Sequence, residues 1–180
     1  MKIWQLNFEL DTYDNLIPIR DFTVEEIQSF DGRSHLSNWK PIKVKRMEPK
    51  KGLALSDAPG FIIPVFSKRA VNCIGPLISK NVEILPLDFN EREYFCINVI
   101  TVLNAIDYEK SLYKTYRDGK RIMAFKKYVF IPNIIENVSI FKISDEKTRY
   151  AFVSDEFKQT VEKNKLLGFK FKLIWDSEQE

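Results

Sequence analysis

The sequence predicts an α+β fold, with a largely antiparallel sheet and two main helices on one of its faces. Three observations carry this reading. Short segments that alternate apolar and polar residues recur along the chain, each bounded by Pro, Gly, Asn or Asp. Two longer stretches, opening at Ser67 and Ser154, pair a serine start with apolar residues at helical spacing. Tyr94–Thr101 is apolar at nearly every position, which suits a central strand buried on both faces. With 180 residues, 44% of them hydrophobic, the chain can fill one sizeable core, so residues 1–180 are expected to form a single domain.

Taken in order, Lys2–Leu10 reads as a strand, with Ile3 and then Trp4, Leu6, Phe8 and Leu10 as its apolar stripe. Thr23-Val-Glu-Glu26 has the capping-box spacing and predicts a short helix from Val24 to about Phe30, ended by Asp31-Gly32. Arg33–Trp39 is expected to be an exposed loop. Pro41–Glu48 alternates again, with Ile42, Val44 and Met47 assigned to one side and Lys43, Lys45 and Arg46 to the other. Ser56–Gly60 is turn chemistry. Ser67 caps a helix to about Ile78, in which Gly75-Pro76 is expected to introduce a kink or break. Val82–Leu87 and Tyr94–Thr101 are strands, and Asp118-Gly119 is a strong turn. Ile122–Phe125, Lys127–Ile131 and Ser139–Ile143 are strand material. Ser154 caps a helix to about Lys165, and Gly168 ends it. The final strand, Phe169–Trp175, is expected to put Phe169, Phe171, Leu173 and Trp175 on one face.

Ser154 follows Ser67 by 87 residues, the same interval that separates Phe169 from Val82, and Ile74 and Val161 share that register. A degenerate internal repeat gives this spacing. So do two independent copies of a common supersecondary motif.

The chemistry-bearing residues are sparse. The single histidine, His35, lies in a polar loop and is expected to be a solvated imidazole. It has no neighbours at metal-ligand spacing, so no metal or other cofactor is expected. No serine sits in a nucleophile elbow, and the six glycines form no phosphate-binding loop. Asp88, Glu91 and Glu93 read as an acidic loop, and Asp155-Glu156 as acids favoured at a helix start. Cys73 and Cys96 lack C-x-x-C spacing and read as reduced thiols. There is no signal-peptide pattern and no apolar run long enough to span a bilayer, so a soluble cytoplasmic protein is expected.

The net charge of +3 is mild, yet cations cluster. The sharpest run is Lys40, Lys43, Lys45, Arg46, Lys50 and Lys51, broken only by Glu48 and flanked by Trp39. A second basic stretch holds Lys110, Lys114, Arg117, Lys120, Arg121, Lys126 and Lys127 among Asp107, Glu109 and Asp118. An acidic protein surface, nucleic acid and a plain solvated strand face all fit the first run. Trp and Arg are frequent interface anchors, so Trp39, Lys43, Lys45 and Arg46 are the candidate partner-binding residues.

Three blocks bring a resemblance into view. They are Asp57-Ala-Pro-Gly-Phe61 with Phe66-Ser67 and its helix, Asn104-Ala-Ile-Asp107-Tyr-Glu-Lys-Ser111, and Ala151-Phe-Val-Ser-Asp155 with its helix and Gly168-Phe-Lys-Phe171. Over roughly residues 55–175 the chain resembles a family of bacterial immunity proteins from polymorphic-toxin systems, long catalogued as a domain of unknown function. The resemblance implies a non-enzymatic protein that binds and neutralises a cognate toxin in the producing cell. It supplies no binding residues. A net positive inhibitor matches the basic cleft of a nuclease poorly, so the expected toxin presents an acidic or neutral face. The alternative is a nucleic-acid-binding module using the Lys40–Lys51 segment.

Overall fold

The computed structural model describes residues 1–179. Along the chain lie β1 (Lys2–Phe8), β2 (Leu16–Pro18), α1 (Val24–Gln28), β3 (Ile42–Arg46), β4 (Val65–Ser67), α2 (Lys68–Ile78), β5 (Val82–Asp88) and β6 (Tyr94–Val99). They are followed by β7 (Val102–Leu103), β8 (Leu112–Thr115), β9 (Ile122–Lys127), α3 (Pro132–Ile135), β10 (Ile140–Ile143), β11 (Phe152–Ser154), α4 (Asp155–Lys163) and β12 (Phe169–Asp176). The α+β class and the mostly antiparallel pairing hold. The strands, however, divide into two five-stranded sheets, ordered β12-β1-β11-β10-β7 and β2-β3-β5-β6-β4, with β8-β9 as a separate ribbon. Among the described strands, β10–β7 and β3–β5 pair in parallel and the other pairs are antiparallel.

The two main helices start where the sequence places them. The Ser67 hydroxyl accepts the Ala70 amide proton at 3.1 Å, and the Ser154 hydroxyl accepts that of Phe157 at 3.2 Å. Each bond satisfies one amide that the first helical turn leaves open. Ala70, Ile74 and Ile78 of α2 and Phe157 and Val161 of α4 turn inward. They meet Phe66, Ile97 and Val99 of one sheet and Leu6, Ile140, Val153 and Phe169 of the other in a shared core. Pro76 does not break α2. It sits in the last turn, where few further backbone bonds depend on it.

The two strand–helix–strand units are built alike. α2 joins β4 to β5, with β6 antiparallel between them. α4 joins β11 to β12, with β1 antiparallel between them. Asp57 ties the units together. Its carboxylate accepts from the Ser67 hydroxyl (2.8 Å), Arg69 Nη1 (2.6 Å) and the Leu167 amide (3.0 Å). Gly168 has φ +88°, and a Cβ there would collide with Ser56 and the Ala58 carbonyl. Glycine is therefore required at this point by both backbone conformation and space.

The last strand departs from the expected single face. Ile3 pairs with Trp175 but Trp4 pairs with Leu173, which leaves Ile174 as the extra residue of a bulge. A bulge re-aims the side chains that follow it. Before the bulge, Phe169 and Phe171 pack in the shared core, and Leu173 on the same face is 40% exposed. Trp175 turns into a second, aromatic core with Ile3, Phe130, Phe141 and Phe152. The segment after β9 also differs: of the stretch to Ile131, only Phe130 bridges, to Ile106. Cys73 and Cys96 are both free thiols, and burial pushes the Cys96 thiol far up.

Candidate interaction surface

On β3 the two-residue period sends Val44 into the core and leaves Lys43 and Lys45 exposed. β3 is an inner strand, paired with β2 and β5, so its lysines are not guarding an edge. Lys43 and Lys45 flank a groove of about 520 Å³ that also takes in Ile19, Pro49, Asp88 and Phe89. A neighbouring hollow of about 360 Å³ adds Arg20 and Lys40, again around Ile19 and Lys43. Ile19 is 59% exposed, an apolar point among cations.

The other two residues nominated from the sequence are placed differently. Arg46 shares the parity of Ile42 and Val44, not that of the lysines, because alternation rather than charge decides the side. Its guanidinium donates to Glu91 (2.7 Å) and to the Leu53 carbonyl (3.1 Å) and lies 3.7 Å from the buried Asp14 carboxylate. Hydrogen bonding from Arg46 lowers the Glu91 pKa. Met47 is exposed rather than packed with Val44. Trp39 is half-buried; its indole N–H donates to the Pro86 carbonyl at 2.8 Å and its ring meets Phe30 edge-on. The structure thus groups Lys43 and Lys45 with Lys40, Arg20 and Ile19. Arg46 also lines the larger groove, with its guanidinium already bound to Glu91, whereas Trp39 lies outside both hollows.

The loop expected to be free is also braced. Glu83 accepts from the Ser34 hydroxyl, the His35 amide (2.8 Å) and Asn98 Nδ2 (2.9 Å). Burial works to raise the Glu83 pKa, but these donors outweigh it and the pKa is lowered. His35 is not a solvated imidazole. Its ring stacks on Phe30 at 4.6 Å, and Nε2 lies 3.0 Å from the Ser29 carbonyl oxygen. Of the other sequence-flagged acids, Glu93 pairs with Lys68 at 3.6 Å, and Asp155 accepts from the Trp4 indole at 2.9 Å.

The second basic stretch forms the β8-β9 ribbon, an arm belonging to neither five-stranded sheet. Tyr113 pairs with Phe125 across it, and a ladder of rings runs from Tyr113 through Phe125 and Tyr128 to Phe130 in the aromatic core. At the base, the Tyr128 hydroxyl donates to the buried Glu146 carboxylate at 2.8 Å. Arg149 reaches the same carboxylate at 3.7 Å and donates to the Met123 carbonyl at 3.0 Å. Burial raises the Glu146 pKa against these two partners. At the tip, Gly119 takes φ +66° and Arg121 holds the Asp118 carboxyl down at about 2. The cations of this arm were legible in the sequence. Its exposed apolar residues (Leu112, Tyr113, Tyr116 and Met123) were not, because a strand-like pattern does not reveal whether anything covers it.

Among the described residues, no group of three or more His, Cys, Asp or Glu is placed to hold a metal ion. Nor is any helix among them long and apolar enough to cross a membrane. Curated proteins gave no match. A family model did: residues 82–176, more than half the chain, match the family described as Immunity protein family (Imm11). The matched span runs from β5 to the end of β12 and includes the arm. It leaves out Trp39 and β3.

Proposed function

This chain belongs to the Imm11 immunity protein family, and from that premise we propose that it binds one cognate toxin directly and neutralises it in the cytoplasm of the producing cell. The family match carries this reading. Immunity proteins of this kind are typically non-enzymatic, and we take this chain to act by occlusion, without turnover of a substrate and without a cofactor. Residues 1–180 work as one α+β binding unit, a reading supported by the largest of its buried clusters, which draws on both sheets and both main helices.

We place one contact surface on β3. Lys43 and Lys45 project from it and steer an acidic or neutral toxin face. Trp39 and Arg46, tied to Pro86 and Glu91, stiffen the surface. Rigid support of this kind lowers the ordering cost of association. The nucleic-acid reading of Lys40–Lys51 is weaker on this geometry. Lys43 has Asp88 as its cross-strand neighbour, and Arg46 is already neutralised by Glu91, so the basic run is not a continuous positive strip.

The test is protection. Cells expressing the product of the gene directly upstream should survive only when this protein is co-expressed, and the two purified proteins should associate. Death in both cases, with no association at micromolar concentration, would overturn the proposal.

A further inference from the structure

The charge of this protein is unevenly placed. Residues 107–127 carry seven cations against three acids, a surplus of four, while the whole chain nets only +3. This segment is the β8-β9 arm with its base. Two of its cations are neutralised within it, Lys110 by Asp107 (3.5 Å) and Arg121 by Asp118 (2.7 Å). Among the described residues, Lys114, Arg117, Lys120, Lys126 and Lys127 have no carboxylate in ion-pair contact, and all five are exposed. Between them stand exposed apolar side chains, with Leu112 the most open at 59%. An uncovered apolar centre ringed by charge is the anatomy of a protein-binding patch, and Tyr, Met and Arg are the residue types enriched there.

We infer that the β8-β9 arm is a docking element for an acidic protein surface, that of the cognate toxin, and this rests on the immunity reading above. The length of the segment, 21 residues, is that of one side of a standard interface, roughly 20–30 residues. Met123 and Lys126 have no cross-strand partner, so the ribbon carries two bulges. Bulges twist a ribbon and discourage pairing along its edges, which leaves side chains rather than backbone as the contact. The ring ladder to Phe130 and the Tyr128–Glu146–Arg149 clasp hold the arm in place, so less ordering is needed on binding. Leu112 and Met123 add aliphatic surface that suits a protein and offers no ring for bases to stack on, while the exposed Tyr113 and Tyr116 suit either partner.

The experiment measures binding to a catalytically inactive form of the upstream gene's product. It compares the wild type with Lys114→Glu/Arg117→Glu/Lys120→Glu, with the milder Lys114→Ala/Lys120→Ala and with Lys43→Glu/Lys45→Glu. The altered arm residues carry no core contact, so thermal unfolding should match the wild type. The triple reversal is expected to weaken binding about 100-fold and abolish protection, and the alanine pair about tenfold, mostly through slower association. Wild-type binding with undiminished binding by both arm variants would overturn the arm and leave the immunity reading standing. Failure of the wild type to bind or protect would overturn both. Salt-dependent binding of a single-stranded oligonucleotide, lost in the arm variants while toxin binding persists, would assign the arm to nucleic acid and overturn the inference.

Discussion

Lys142 offers a test of the energetics inside the fold. All four residues of β10 are buried, Lys142 at 7% exposure, and its Nζ donates to the Phe30 carbonyl. It has no carboxylate in ion-pair contact among the described residues; Asp31, the carboxylate that acts on it through charge, is bound by Arg33 and Lys147. Burial lowers the ammonium pKa from 10.5 to about 8, with Asp31 and Cys96 opposing the shift. At roughly 1.4 kcal/mol for each tenfold change in proton affinity, keeping this group charged costs the folded state about 3 kcal/mol. The sign follows from proton counts. Between pH 8 and 10.5 the unfolded chain holds more protons at this site than the folded one, so the cost is full below pH 8 and fades as pH rises through that window. Lys142→Met keeps the side-chain volume, removes the charge and strands the Phe30 carbonyl, which costs ~1–2 kcal/mol. The variant should therefore be more stable than the wild type by about 1–2 kcal/mol at pH 7, and the order should reverse at roughly pH 9–10. Urea melts of both proteins at pH 7 and pH 10 decide it. A variant less stable at pH 7 by more than about 2 kcal/mol would show that the ammonium is a net stabiliser and that the burial argument fails.

Three further outcomes follow from the same structure. Ser154→Ala should lower stability by about 1 kcal/mol through loss of the Phe157 amide partner; an unchanged denaturant midpoint would refute the cap. Phe157→Ala, at a fully buried ring, should cost roughly 3–5 kcal/mol, and Phe171→Ala clearly less because Phe171 is half-buried; equal losses in chemical denaturation would contradict that placement of Phe171 at the margin of the core. Lys43→Glu with Lys45→Glu should slow toxin association several-fold and flatten its salt dependence in stopped-flow or surface measurements, and unchanged rates would remove β3 from the encounter.

What the sequence made legible is what is decided within a few residues. The caps at Thr23, Ser67 and Ser154 join atoms three positions apart, and Gly168 must turn the backbone where it stands, although the helix itself ends earlier, at Lys163. Arg46 was also legible in principle, since its parity matches that of Val44, but its charge drew it to the wrong side. Other features depend on partners distant in the chain. The bulge at Ile174 exists only against β1, and the split into two sheets depends on which strands adjoin. His35, by contrast, has near partners: it reads as polar until the loop folds back and sets its ring against Phe30 and the Ser29 carbonyl. The candidate surface was half legible. The lysines of β3 and the cations of the arm could be read from the sequence, whereas the isolation of the arm from both sheets could not.

The position of β1 between β11 and β12 constrains when this protein can finish folding. A ribosome makes β4, α2, β5 and β6 within one continuous stretch, so the β4-β6-β5 unit has all its strands once Val99 has emerged. The other unit must retain a strand from the start of the chain until β11 and β12 arrive; Trp4 waits for a hydrogen-bond partner 151 residues downstream. During that interval both edges of β1 are open, and its Ile3 and Leu6 lack the cores that later bury them. The segment that identifies the family, residues 82–176, leaves this strand out. Expressed alone, it would carry a gap at the second position of its own sheet, with β11 and β12 each missing a neighbour. The β12-β1-β11 unit of this immunity-family protein thus closes only after β12 has been translated.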